Sequence, residues 1–163
     1  MAYVINENSL GQSLITSHET VKRIPLGTIV RADDPTYGAG EFIFLKGLDT
    51  TAVGTWVTYN GDDYSTALLA ANAIGPVAVA MSACVTGEYG WYQITGKAVG
   101  KAAALYADNG LVYATATGGT VDDTAVAGDR VKNALGASAV GTPSAGLAEF
   151  EIQRPWMDDA SAA

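Results

Sequence analysis

The chain is nearly empty of the residues on which most enzymes and metalloproteins are built. Its 163 residues include one histidine, His18, and one cysteine, Cys84. A lone cysteine cannot close a disulfide within the chain, so the fold does not depend on oxidation. One histidine and one cysteine also fall short of the four such ligands of an ordinary structural zinc site. A Ser-His-Asp or Cys-His pair would have to recruit His18, because the nucleophile needs a neighbouring base. His18 belongs to a loose N-terminal stretch, a poor platform for atoms that must be held to about half an ångström. Cys84 lies in an apolar run and reads as a small buried hydrophobe, not a reactive thiol.

Charge is scarce too, at 16% of residues, and mostly of one sign: nine Lys and Arg stand against seventeen Asp and Glu, a net charge of −8. Lys22-Arg23 is the only adjacent basic pair. An acidic surface without a basic patch repels phosphate, which argues against direct nucleic-acid binding and favours a partner with a positive surface. The opening MAYVINENSLGQ has neither a basic nor an apolar leader region, so no secretory signal is expected. Residues 67–85 are uncharged but Ala-rich and broken by Asn72 and Gly75-Pro76. They read as a loop or short helix before a core strand, not as a membrane span. The helix formers Glu, Lys, Gln and Leu are thin throughout.

What the chain does have is 48% apolar residues and 19 glycines among many Ala, Val and Thr. That combination predicts an all-β domain of about eight short strands joined by turns, a compact small barrel or sandwich. Its centre is Ile74 to Val99. Val77, Val79 and Met81 alternate with Ala78, Ala80 and Ser82, then Gly87-Glu88-Tyr89-Gly90 turns into the aromatic strand Trp91 to Thr95. Thr28–Arg31, Glu41–Lys46 and Thr55–Tyr59 are further strands. Asn60-Gly61 signals a two-residue hairpin continuing through Asp62 to Ser65, and Thr66 is placed to cap a helical turn over 67–73. Leu105-Tyr106 and Leu111–Tyr113 flank Ala107-Asp108-Asn109-Gly110 as a second hairpin. Arg130–Leu135 and Ala148–Arg154 complete the set, with Pro155-Trp156 ending the last strand. Phe42, Phe44, Val77, Val79, Trp91 and Ile94 are the expected core.

Three units are expected: an extended arm over residues 1–20, one β domain over 21–157, and a polar tail over 158–163. In the arm, Tyr3, Val4, Ile5, Leu10, Leu14 and Ile15 are too sparse to close a core. An unpaired strand of this kind offers its backbone to a sheet edge outside its own subunit.

The remaining candidates for chemistry are thin. Asp33-Asp34, Asp62-Asp63, Asp122-Asp123 and Asp158-Asp159 lack the alternating spacing of a calcium loop, and neighbours on a strand point to opposite faces. They suit turns and solubility better than a metal or a hydrolase's paired carboxylates. Gly38-Ala39-Gly40 and Thr95-Gly96-Lys97 fail the phosphate-loop patterns. No catalytic residue, cofactor or metal is expected. Trp56, Trp91 and Trp156 with eight Tyr leave open a sugar-stacking platform, although aromatics at period two more often form core or interface.

With these residues in view, the chain resembles the head decoration, or cement, proteins of tailed bacteriophages. The resemblance is carried by Ile29 to Gly47 (IVRADDPTYGAGEFIFLKG), by Gly75-Pro76-Val77-Ala78-Val79-Ala80 running into the Gly87 turn, and by Ile152-Gln153-Arg154-Pro155-Trp156. It covers roughly residues 21–156. It implies a compact, tulip-like β domain on the outer surface of the virion head, made in the host cytoplasm. It further implies binding to the major capsid protein, self-association as a homotrimer more readily than a homodimer, and a terminal arm that adds a strand to the shell. A carbohydrate- or receptor-binding virion module is the alternative.

Overall fold

The computed structural model describes residues 4–5 and 13–159. Among these residues twelve strands run in chain order: β1 (Val4–Ile5), β2 (His18–Glu19), β3 (Ile29–Asp34), β4 (Gly38–Lys46), β5 (Trp56–Tyr59), β6 (Thr66–Leu68), β7 (Ile74–Ala80), β8 (Tyr89–Lys101), β9 (Leu111–Ala114), β10 (Val121–Asp122), β11 (Arg130–Gly136) and β12 (Leu147–Asp158). No helix occurs among the described residues. The strands form one antiparallel sheet in the order β1-β3-β4-β8-β7-β12-β11-β9-β10, with β2 on β8 and β5-β6 on β7. The sheet is not closed into a barrel and is compatible with a small sandwich or tulip-like fold. Four strands have only two or three residues, too few to leave a periodic trace. The other eight match the expected count.

The central strands are buried on both faces, as their unbroken apolar runs require. In β7, Val77 and Val79 enter one core cluster with Trp56 and Phe150, while Ala78 and Ala80 enter another with Ile43, Leu45, Tyr92 and Ile94. In β4, Phe42 and Phe44 face a third cluster with Trp91 and Met81, and Ile43 and Leu45 face away from it. All six expected core residues are buried.

The long strands change partners. β12 pairs with β8 through Leu147–Gln153 and then with β7 through Trp156–Asp158. Arg154 takes φ +48° at this change, and the register against β11 shifts across it. Pro155 was expected to end the strand, yet β12 runs through it. A residue without an N–H fits where the ladder is already interrupted. The fork between β8 and β12 receives β7, whose Val79 and Ala80 pair with Gln93 and Tyr92.

Three local expectations give way to tertiary packing. Thr66 does not cap a helix. Thr66–Leu68 pairs with Val57–Tyr59, and the Thr66 hydroxyl donates to the Lys46 carbonyl at 3.0 Å. The Asn60-Gly61 hairpin exists, but its loop spans Asn60 to Ser65. Asn60 N–H donates to Ser65 O, and the positive φ falls on Tyr64 instead of Gly61. Leu105-Tyr106 forms no strand; β9 pairs instead with β10 and β11. Gly87 does supply positive φ to the central turn, which spans Val85 to Glu88, two residues earlier than the expected Gly87 to Gly90, with Glu88 N–H donating to Val85 O at 3.0 Å.

Candidate docking surface

The N-terminal residues divide into three fates. Val4 and Ile5 pair with Asp33 and Ala32 of β3 in the same chain, so this stretch docks on its own sheet, where the expectation was a sheet edge outside its own subunit. Val4 is two-thirds exposed. Ile15 is not a surface residue at all: it is buried in the cluster of Phe44 and Trp91. Its burial follows from the turn just before β2, where the Ser17 N–H and hydroxyl both donate to the Leu14 carbonyl. The Trp91 indole N–H donates to the Ser13 hydroxyl at 3.2 Å, fixing the start of this turn. Leu14 points out, 70% exposed. Tyr3 and Leu10 lie outside the described residues, as do 160–163 of the expected tail. From Ser13 onward the segment belongs with the body, because an isoleucine that reaches an aromatic core gains more by burial than by hydration.

The structure sorts the tryptophans. Trp56 and Trp91 are fully buried, the first edge-on to Phe150 with ring centres 5.0 Å apart. No three-tryptophan platform exists. Trp156 alone is exposed, at 45%.

The acidic pairs serve turns and ion pairs. Asp34 Oδ1 accepts from the N–H groups of Thr36 and Tyr37, shaping the β3–β4 turn. Asp63 accepts from the N–H and hydroxyl of Ser65, which with Lys46 hold its carboxyl down at about 2. Asp123 accepts from Ala107 N–H, and Asp158 pairs with Lys132. Among the described residues no group of three or more His, Cys, Asp or Glu is placed to hold a metal ion. His18 Nε2 lies 3.6 Å from Glu88 on the half-exposed β2.

The most elaborate polar contact joins distant elements. Burial would raise the Glu41 carboxyl, but hydrogen bonds from Arg154 and Thr95, with the charges of Arg154 and Arg31, hold it below the usual range. This ties β4 to the partner change in β12. Cys84 is buried, and burial, with the Glu88 charge, pushes its thiol up to about 12. That places it with the inert structural cysteines.

No protein-family model, curated protein or solved structure matches the chain.

Proposed function

We propose that the protein is a structural component of a bacteriophage virion that binds the outside of the head and cements neighbouring capsomers. The observation that supports this best is the terminal strand β1. Among the described residues it is held by two register pairs alone, at the end of the sheet, with Val4 exposed. So short a pairing costs little to exchange for a strand edge on the major capsid protein, and backbone pairing needs no side-chain signature. The body behind it is built on strands buried on both faces, which suits a rigid fastener. A self-associated unit, a trimer in this reading, touches several capsomers at once, so weak individual contacts sum through effective concentration.

The test is reconstitution. Expanded heads assembled from the major capsid protein encoded nearest this gene should bind the full chain at saturable stoichiometry and resist disruption better for it. Heads that take up none of the chain would contradict the proposal.

A further inference from the structure

Trp156 is the one large aromatic feature that the capsid reading leaves unused. It lies on β12 opposite Pro76 of β7. On the other side of β7, Thr58 pairs with Val77, which brings Tyr59 beside Pro76. Directly opposed residues share a face of a sheet. Trp156, Pro76 and Tyr59 therefore form a row across three strands, about 10 Å long at two strand spacings. Their neighbours Val77 and Met157 point the other way and are fully buried; on the row's own face Trp156 is 45% exposed, while Tyr59 is partly buried against the cluster of Val57, Ala78 and Ala80. The row floors an open groove of about 380 Å³, with Ile74, 70% exposed, at its margin.

The groove's chemistry is specific. None of its eleven lining residues carries a charge, on a chain of net charge −8. Its rim carries the amide of Asn60 and the hydroxyls of Ser65 and Thr66, which already donate to Asp63 and to the Lys46 carbonyl and so offer their oxygens only as acceptors. Asn60 Oδ1 already accepts from Asp62 N–H, which leaves the amide nitrogen to donate. A phosphate or a peptide carboxylate would find no charged side chain in the lining, and the nearby Arg154 is already paired with Glu41. An apolar segment would cover the row but strand the Asn60 amide nitrogen, at a cost. A pyranose offers both halves at once, an apolar C–H face for an indole and hydroxyls for the rim. The volume falls in the range of small-ligand sites, about 300–1,000 Å³.

We infer that this groove is a saccharide-binding site, taking a neutral oligosaccharide that stacks on Trp156 and lies along the row toward Tyr59. This goes beyond the capsid reading and stands or falls separately from it.

Because Trp56 and Trp91 are buried, sugar-dependent changes in tryptophan emission report on Trp156. The full chain is titrated with maltotriose, cellotriose and chitotriose, with sialyllactose as the anionic comparison. At least one neutral trisaccharide should give a saturable emission shift at millimolar concentration or below. Calorimetry on Trp156→Ala should show affinity reduced at least about tenfold, with Asn60→Ala several-fold weaker and Trp156→Phe close to the parent. Should the alanine variant fail to fold, the parent titration and Trp156→Phe decide alone. No shift with any neutral sugar overturns the inference. So does binding of the sialylated sugar only, or a Trp156-dependent dimer in sedimentation that occupies the groove in place of sugar.

Discussion

Phe44 illustrates how much of this molecule rests on single side chains. It is fully buried, 5.0 Å from the Trp91 ring and 6.4 Å from Tyr89. Phe44→Ala removes the ring from a cluster that cannot collapse around the gap, because β4 is pinned on both faces. The expected loss is ~3–5 kcal/mol, read from urea unfolding with an unchanged slope. Cys84 gives a prediction about pH. Its thiol is raised from 9.0 to about 12 by burial and by Glu88, and burial raises Tyr92 and Tyr106 as well. A group whose folded value is raised contributes stability that is complete below the unfolded value and is lost as pH climbs through the folded one. The thermal midpoint should therefore hold steady up to pH 9 and fall between pH 9 and about 12. Cys84→Ala should soften that fall. In native buffer at pH 8 an aromatic disulfide reagent should leave Cys84 untouched, and it should react fully in denaturant.

At the scale of elements, the N-terminal segment separates cleanly into a removable part and a fixed part. Removing residues 2–12 takes away β1 and its two register pairs, and should leave the thermal midpoint within a few degrees of the parent. Removing 2–16 also takes Ser13 and Ile15, and with Ile15 the buried contact against Phe44 and Trp91. That second cut should cost ~2–5 kcal/mol, the value of a large aliphatic lost from a core, measured by the same urea titration. The arm was expected to run to residue 20, but the packed segment already includes Ser13 and Ile15; the sequence did not show this, since one isoleucine among Ser, Thr and Gly carries no period. The strands that were legible are those with alternation or unbroken apolar runs, β3, β4, β7 and β11 among them. Those missed are short or decided from a distance. Thr66–Leu68 extends because Val57–Tyr59 offers a ladder, and Asn60-Gly61 yields its tight turn because Tyr64 accepts the positive φ. Pro155 marks the switch of β12 from β8 to β7, which no local signal announces. The groove at Trp156 was equally hidden. Its three floor residues lie on three strands, and the sequence alone placed Trp91 in the core but did not separate Trp156 from the buried Trp56.

Among the described residues the molecule is one acidic body continuous through a single sheet, with β1 held at its end by two register pairs. Its net charge of −8 is consistent with the proposed contact with a basic surface. Among the described residues many of the carboxylates are engaged in turns and ion pairs. The central claim is that the work is done by a strand that can pair elsewhere. The most direct measurement compares the full chain with the chain lacking residues 2–12 for binding to undecorated expanded heads, by co-sedimentation and by cryo-EM occupancy. The account predicts that the truncated chain, still folded, loses most of its occupancy, and that maps of decorated heads show the N-terminal strand against capsid protein. Equal occupancy of both chains, or an N-terminal strand still paired to Ala32 and Asp33 on the head, would contradict it.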